Sequence, residues 1–577
     1  MQEKDKFFFA VTPLDKGIDN NAEYILYAEE GCARLCKDFT NVKILDNIHS
    51  SGNELYNDTL FIRKVYKKVL TVISKKLNEF HGLTYNTNIW SLILYYWLDY
   101  YIEVLFQKYI LVDYAINNYN VYTYALDKKY YKFPYKKNGF FIWCINDDLY
   151  NFQLYSQILE YKGANIKKYI EIDGTAGKKK INVKNMPVLQ KIINKTAKTA
   201  KTIIVNPNNF EFTYKEMMYM YIKSKFKMGY FYCNDDYIPV AEYNTGLREK
   251  ISIKNYNTNN DFEKMVLQMV FKDMPTCYLE GFDNYRKFCF QTKAKNIVEA
   301  EDWHYLTSAA LMASNVKSVN GKLFTLKTGG DANILKGKTE TYDDLNLSDV
   351  LYSSGWKKDG ICQVKTLTNP RMWKAKLSKK YIEKKTDVLY IGNVLWSYRC
   401  IMGNISSLHS KEYLDDCVNF LERLSKENIE ICARFFPIKS KWDICKIIQE
   451  RNINIKIDDY KEDFITAAQK TRLAVVDFFN TPWAELLILD IPMIMVGLPY
   501  NEYFSEEGYE VVKILREANM YFDTYSDAIV FINNNIADIE IWWKEKRRIY
   551  ITRQLKSKYI WCSDNAKKEW INEFLKI

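Results

Sequence analysis

The chain has 577 residues, 48% of them hydrophobic and 27% charged, which excludes a disordered polymer and a small disulfide scaffold. Single cores stop growing at about 250–300 residues, so this length predicts two large lobes. A net charge of +11 comes from 82 basic and 71 acidic residues with no long block of one sign, which fits a Lys-rich surface better than a nucleic-acid groove, even where Lys178 to Lys180 and the lysines from Lys191 to Lys201 gather.

The opening MQEKDKFFFAV has a short apolar run and no small-residue cleavage site, so a cytoplasmic protein is expected. Its twelve cysteines contain no CxxC pair, and Cys32 with Cys36 make only an isolated CxxxC. Scattered thiols of this kind fit a reducing compartment, with neither a disulfide frame nor a zinc site.

In chain order, FFFAVT (Phe7 to Thr12) and YILYA (Tyr24 to Ala28) read as strands, and Phe61 to Phe80 and Asn88 to Asn118 as long helices. The apolar stretch from Ile89 to Ile116 is crossed by Asp99, Glu103, Lys108 and Asp113, which are costly in lipid, so a buried amphipathic helix is expected there. GFFIWCI (Gly139 to Ile145) and Tyr169 to Asp173 read as strands, and Lys195 to Asn259, aromatic and aperiodic, as an insertion. A helix near Trp303 to Ser314, a strand at Lys322 to Leu326 and the turn TGGDAN (Thr328 to Asn333) follow. The hinge is placed between Asn369 and Thr386.

Beyond it, strands and helices alternate. Strands are expected at Asp387 to Gly392, Ile429 to Phe436, Ile453 to Ile457, Leu473 to Phe479 and Pro492 to Gly497. Helices are expected at Lys411 to Leu424, Asp443 to Glu450, Asp463 to Lys470, Pro482 to Asp490 and Glu506 to Ala518. This is the pattern of a parallel sheet covered by helices, a Rossmann-like domain. The expected division is 1–375, with the insertion at about 195–259, and 386–577.

Three places could hold chemistry. In DFFNTPWAELLILD a strand ends in the turn at Asn480 and Thr481, with Thr481 as N-cap and Pro482 as first helical residue. Free N–H groups at that helix start favour a phosphate, and Glu485, one turn on, could accept hydroxyl groups. An ordinary capped helix has the same local pattern. Arg434 with Pro437 at the end of IEICARFF, and Arg399 after the first strand of the domain, could grip a phosphate or simply pair with carboxylates. The loop Thr328, Gly329, Gly330 allows close backbone approach to a ligand or an ordinary tight turn. No GxxxxGK[ST], HExxH or GxSxG occurs, so nucleotide hydrolysis by a P-loop, zinc peptidase and serine hydrolase chemistry have no motif.

The run RLAVVDFFNTPWAELLILDIPMIM, the later IADIEIWWKEKRR and the closing SDNAKKEW resemble a family of bacterial transferases from O-antigen and other surface-carbohydrate loci. FFFAVTPLDK, YILYAEEGC, LNEFHG, NIWSLILYYWLDYY, KLFTLKTGGDAN and VLYSSGW agree with it in order, so the resemblance spans Phe7 to Trp570. The chain departs from the pattern in having Lys327 and Thr328 before the glycine pair, where Gln-His could stand, and in lacking a tryptophan within Glu30-Gly31-Cys32.

The resemblance implies an α/β fold of GT-B-like architecture, two Rossmann-like lobes facing a cleft, the N-terminal one with helical insertions. It implies a glycosyltransferase taking a nucleotide-sugar donor, with a CMP-activated nonulosonic or Kdo-like acid as the favoured donor. The acceptor would be a glycan, lipid-linked glycan or glycoprotein of the bacterial surface, such as capsule. The donor site would comprise Arg399, Arg434, Pro437, Asn480, Thr481 and Glu485, and the acceptor-side loop Thr328, Gly329 and Gly330. For the base, Glu30 ranks above Asp331 and His81, and His81 also suits a helix end or core. Asp235-Asp236 and Asp343-Asp344 read as solvated turns, so no catalytic metal and no cofactor beyond the donor are expected. A sugar-nucleotide epimerase or synthase, and an inactive polysaccharide-locus binding protein, are the alternatives. Nucleic acid is not an expected partner; peripheral contact with the inner face of the cytoplasmic membrane is left open.

Overall fold

A computed structural model describes the chain except residues 1–5, 34–40, 46–51, 173–182, 254–255, 331–333, 337–338, 359–361, 394, 400–409, 438–441 and 498–503. It is an α/β protein with three parallel sheets, so the expected fold class holds. The first sheet has the order β3-β2-β1-β4-β5, from β1 (Lys6–Ala10), β2 (Tyr24–Tyr27), β3 (Val42–Ile44), β4 (Asn120–Leu126) and β5 (Ile166–Ile170). The middle sheet runs β11-β10-β9-β8-β6-β7, from β6 (Thr202–Val205), β7 (Met228–Phe231), β8 (Asn296–Glu299), β9 (Lys322–Leu326), β10 (Val350–Ser353) and β11 (Gln363–Thr366). The C-terminal sheet runs β14-β13-β12-β15-β16-β17, from β12 (Thr386–Ile391), β13 (Ile431–Arg434), β14 (Lys456–Ile457), β15 (Thr471–Val476), β16 (Met493–Val496) and β17 (Tyr521–Phe522). The first and third have the strand order of a Rossmann-type doubly wound sheet.

The alternation read after residue 386 is present element by element. Two earlier expectations change. GFFIWCI lies in a helix, Lys137–Asn146, whose buried Phe140 and Cys144 are four residues apart; a short apolar run reads equally well as buried strand or helix, and here tertiary packing decides. The stretch 195–259 is no insertion outside the sheet: it supplies β6 and β7, four-residue strands buried on both faces and therefore without alternation.

Helix Thr87–Asn118 is buried along most of its length. One hydrophobic cluster joins it to strands of the first sheet, such as Phe8 and Leu26, and to strands of the middle sheet, such as Ile203 and Ile297. The two N-terminal sheets therefore share a core. A second core belongs to the C-terminal sheet. A third lies on the other face of the middle sheet, where Trp570 and Phe574 of the last helix, Ala566–Lys576, pack against Ile204, Phe210 and Tyr352. Trp570 Nε1 also donates to Thr368 O over 2.8 Å. The chain end thus returns from the C-terminal sheet to the middle one.

No described helix is long and apolar enough to cross a membrane. One charge on the central helix has a buried partner: Lys108 Nζ lies 3.1 Å from Glu29 Oε1 at the end of β2. Tyr155 Oη donates to the same oxygen over 2.8 Å, and the backbone N–H of Arg399 to Oε2 over 2.9 Å. Burial pushes the Glu29 carboxyl up, but Lys108, the Arg399 amide and Tyr155 outweigh it and hold the group below its ordinary 4.5.

Lys108→Met leaves that carboxylate buried without its cation and should lower the free energy of unfolding in urea by about 3–5 kcal/mol, with part of the loss recovered in the Lys108→Met/Glu29→Gln pair. Because the folded value is depressed, the stabilisation is present above about pH 4.5 and drains away below it, as pH falls through the folded value. Urea midpoints unchanged in Lys108→Met would show that the pair is not a structural tie.

Candidate functional site

In open parallel sheets the loops diverge where strand order reverses, leaving a crevice at the carboxyl ends. The middle sheet reverses between β6 and β8, the C-terminal sheet between β12 and β15. Between these sheets lies a cleft of about 960 Å³, lined among others by Asn209, Thr328, Arg371, Lys374, Asp463 and Glu485.

On the C-terminal wall, β15 feeds the helix Thr481–Leu489. Asn480, not Thr481, is its N-cap, in extended conformation and without a capping hydrogen bond from its side chain. Asn480 Oδ1 is buried and finds no protein partner. Gly330 packs on this turn: a Cβ there would lie 2.9 Å from Asn480 O and 3.1 Å from Thr481 Cα, so only glycine fits. Trp483 Nε1 donates to Gly330 O over 3.0 Å. The glycine pair and the helix start, distant in sequence, are thus in contact.

Glu485, one turn into the helix, is 2% exposed. Its Oε1 accepts from Arg371 Nε over 2.7 Å, while Oε2 is buried and unpartnered. Burial pushes this carboxyl up against the pull of Arg371. Arg371 belongs to the helix Pro370–Leu377, capped by Asn369, which occupies the expected hinge. Asn369 Nδ2 donates to Thr328 O over 3.0 Å, tying that helix to the end of β9. Beneath the turn, Asp477 accepts from the Tyr390 hydroxyl over 2.6 Å and from the Tyr413 hydroxyl, and burial pushes it up to about 6.

The middle wall is a buried charge network. Glu301, after β8, sits at φ +59°, a left-handed conformation that is uncommon for non-glycine residues and concentrates at functional sites. Its Oε2 accepts the Thr328 N–H over 3.0 Å and the Thr328 hydroxyl. Lys327 Nζ lies 2.6 Å from Glu301 Oε1 and 2.9 Å from Asp344 Oδ2. His304 Nε2 is 2.6 Å from Asp344 Oδ1. Glu301, His304 and Asp344 bring three ligand atoms within 4.8 Å of one another, but the Lys327 ammonium already bridges both carboxylates, so a divalent cation would meet a like charge. The set does not fit a metal centre.

Beside it, Asp302 accepts from Asn206 Nδ2 over 2.8 Å and from Asn209 Nδ2 over 3.0 and 3.1 Å. Burial pushes its carboxyl up to about 6, the two amides pulling the other way.

Of the residues expected from sequence, Thr328 and Glu485 line this cleft, and Gly330, Asn480 and Thr481 meet at its edge; Gly329 lies in the same loop. Arg434 is held by Asp458, with Nη1 2.7 Å from Oδ2, and lies 4.8 Å from the Tyr460 ring centre. Pro437 is exposed after β13. Arg399 is buried against Glu29 through its backbone N–H. Glu30 accepts from the Lys411 N–H over 3.1 Å, joining the first sheet to the C-terminal one. His81 ends helix Gly52–His81 with Nε2 2.9 Å from Tyr278 O, its ring stacked with Trp90 and tilted against Phe282, where burial lowers its proton affinity. That is the core role. Asp331 lies outside the described residues.

Two acidic pairs differ from the solvated turns expected. Asp344 is the buried partner of His304 and Lys327. Asp235, also buried, accepts from the N–H groups of Thr307 and Ser308 at a helix start. Sequence reading missed Glu301, Asp302, Lys327 and Arg371 as site residues. The signal for the first two was present in NIVEAED, a short apolar strand running into carboxylates.

Solved structures align over part of the chain. MurG of Acinetobacter baumannii matches at 9% identity, covering 65% of this chain and 99% of its own, with a TM-score of 0.33. The UDP-GlcNAc 2-epimerase of Neisseria meningitidis matches at 11%, covering 65% and 99%, with a TM-score of 0.35. Such scores say nothing of substrate. No curated protein matches the chain in sequence. The model of the LIC12162 family transferases matches residues 7–574, nearly the whole length, and the chain therefore belongs to the LIC12162 family of transferases.

Proposed function

We propose that this transferase is a glycosyltransferase of GT-B type, in which a nucleotide-activated sugar binds on the C-terminal wall of the cleft and a hydroxyl acceptor on the middle wall. The observation that carries this is Glu485. A carboxylate oxygen that is buried, unpartnered and part of the cleft lining costs free energy unless a ligand's donors reach it, and paired ribose or sugar hydroxyls are such donors. The uncapped helix start at Asn480, with Arg371 and Lys374 in the cleft lining, offers N–H groups and cations to the donor's phosphates and to the phosphate that leaves. Family membership supports transfer.

Direct transfer needs a base for the acceptor proton. Asp302 suits it: a carboxyl at about 6 is largely ionised at neutral pH yet basic enough to accept a proton. Glu30 is the weaker choice, since neither it nor its partner Lys411 lines the cleft, whereas Asn209, which holds Asp302, does. Lys327 occupies the place between Glu301 and Asp344 that a divalent cation would need, and Arg371 and Lys374 are the cations of the cleft lining, so transfer is proposed to be metal-independent. A CMP-activated acid sugar remains the proposed donor class and a bacterial surface glycan the acceptor, on the resemblance alone. The two lobes of this reading divide near residues 375–386, with the last helix returning to the N-terminal side.

Calorimetric titration with CMP, UDP and GDP, with and without magnesium, should find one nucleotide bound equally well in both conditions. Glu485→Ala should weaken it by about 1.5–3 kcal/mol, as loss of hydrogen bonds to a charged group does; wild-type affinity in that variant would remove the donor site from this wall.

Asp302→Asn should retain nucleotide binding and lose about 10²–10⁴-fold in turnover. Wild-type transfer should fall as pH drops through about 6, because the base is then protonated. An Asp302→Asn enzyme with full turnover overturns the assignment of the base, and conversion of the sugar nucleotide without any acceptor overturns transfer in favour of an epimerase.

A further inference from the structure

Exposed apolar side chains gather on the segments that flank β7, at the outer edge of the middle sheet. The helix Val188–Asn194 and the turn after it lie along edge strand β7: Asn194 exchanges two hydrogen bonds with the Tyr232 backbone, at 2.7 and 2.9 Å, and Thr196 Oγ1 accepts from Tyr230 N over 3.0 Å. Those bonds blunt the sheet edge, as an open edge requires. They do not account for Val188, 72% exposed, nor for Leu189 and Ile192 beside it.

On the helix Tyr214–Lys223, which leads into the same strand, Tyr214, Met218 and Ile222 stand four residues apart on one exposed stripe. The turn that follows holds Lys225 and Phe226 both at positive φ, 54° and 63°, with the Phe226 ring 59% exposed. A left-handed backbone is costly for a bulky residue, and here it keeps an aromatic ring in solvent instead of in the core.

Exposed lysines interleave with these side chains: Lys191, Lys195 and Lys198 along the first segment, Lys215, Lys223 and Lys225 along the second. The two carboxylates of this stretch are engaged elsewhere, Glu211 with Lys374 and Glu216 with Lys567. The result is an apolar, cationic surface.

We infer that this face, formed by residues 188–194 and 214–226, is a membrane-docking surface for anionic phospholipid. The apolar side chains enter the interface between headgroups and acyl chains while the lysines meet lipid phosphates. Aliphatic residues such as Val188, Leu189 and Ile222 have no use on a polynucleotide, whose recognition relies on phosphate contacts and stacking, and the excess of lysine disfavours self-association of the same face. Asn209 and Glu211, just ahead of the second helix, line the cleft, so docking would bring the cleft mouth to the lipid and to an acceptor carried on it. That last step rests on the site reading above; lipid binding itself does not.

Flotation of the full-length protein with phosphatidylcholine vesicles, alone or with about 30% phosphatidylglycerol, tests the surface. Binding should be confined to the anionic vesicles and fall at about 500 mM salt. Met218→Ser/Ile222→Ser/Phe226→Asn should weaken it at least about tenfold, and Lys223→Gln/Lys225→Gln by about fivefold for each charge removed. Tyr381→Ser, at a fully exposed tyrosine away from this face, should change nothing, and unaltered thermal unfolding checks that the variants fold. The inference fails if wild type ignores anionic vesicles, if the variants bind as wild type does, or if the apolar variant instead abolishes a dimer in a lipid-free solution. Vesicle binding without nucleotide binding would leave this surface standing and sink the donor site.

Discussion

The buried ion pair between Lys108 and Glu29 is where the three sheets are brought to account with one another. Its cation stands on the helix shared by the two N-terminal sheets, its carboxylate at the end of β2, and its second acceptor oxygen takes the N–H of Arg399 from the C-terminal unit. A pair this deeply buried returns little net stability relative to an apolar replacement, because both ions have lost their water. What it gives is register: each group has partners only when the three pieces dock in one arrangement. Around it, Gly31 lies so close to Ser397 O that a Cβ would overlap it, and Tyr398 donates to Asp148 over 2.7 Å. The lobes meet through directional contacts as well as apolar ones.

The cleft is built in the same way from parts that are incomplete alone. The helix start at Asn480 has no side-chain cap, and Gly330 from the other wall fills the space beside it. The strained Glu301 is fixed by Thr328, Lys327 and, through Asp344, by His304. Such a network polarises its members and resists rearrangement. It holds the middle wall rigid while leaving Asp302 beside it as a separate carboxyl with its own amide partners. On the C-terminal wall, Arg371 reaches Glu485 from the segment that links the two units, so any change in the angle between them moves a charge in the cleft.

Legibility followed periodicity. Helix Thr87–Asn118 and nearly every element after residue 386 stand where the apolar pattern puts them, because each has enough residues for its period to show, while helix Gly52–His81 begins nine residues before the expected Phe61. The strands β6 and β7 do not alternate, being covered on both faces, so their segment carries no strand signal; GFFIWCI is a helix because packing against the Thr87–Asn118 helix chooses between two readings of one short run. At the site, the Asn480 turn, Glu485 and the Thr328 loop were readable, since strand ends and glycine pairs are local signals. Arg434 was readable as an arginine at a strand end, but its partner Asp458 was not.

An α/β protein with parallel sheets and a Rossmann-type C-terminal unit is legible along the chain, because strand length, helix period and turn chemistry are properties of neighbouring residues, and its motifs carry the resemblance to a transferase family. Long-range packing alone sets two N-terminal sheets around one shared helix, buries Glu29 beside a less buried Glu30, and gathers Lys327, Glu301, Asp344 and His304 into one network. Those outcomes depend on which charges lose their water together and on which groups arrive to replace it, and that is settled by contacts between residues up to hundreds of positions apart.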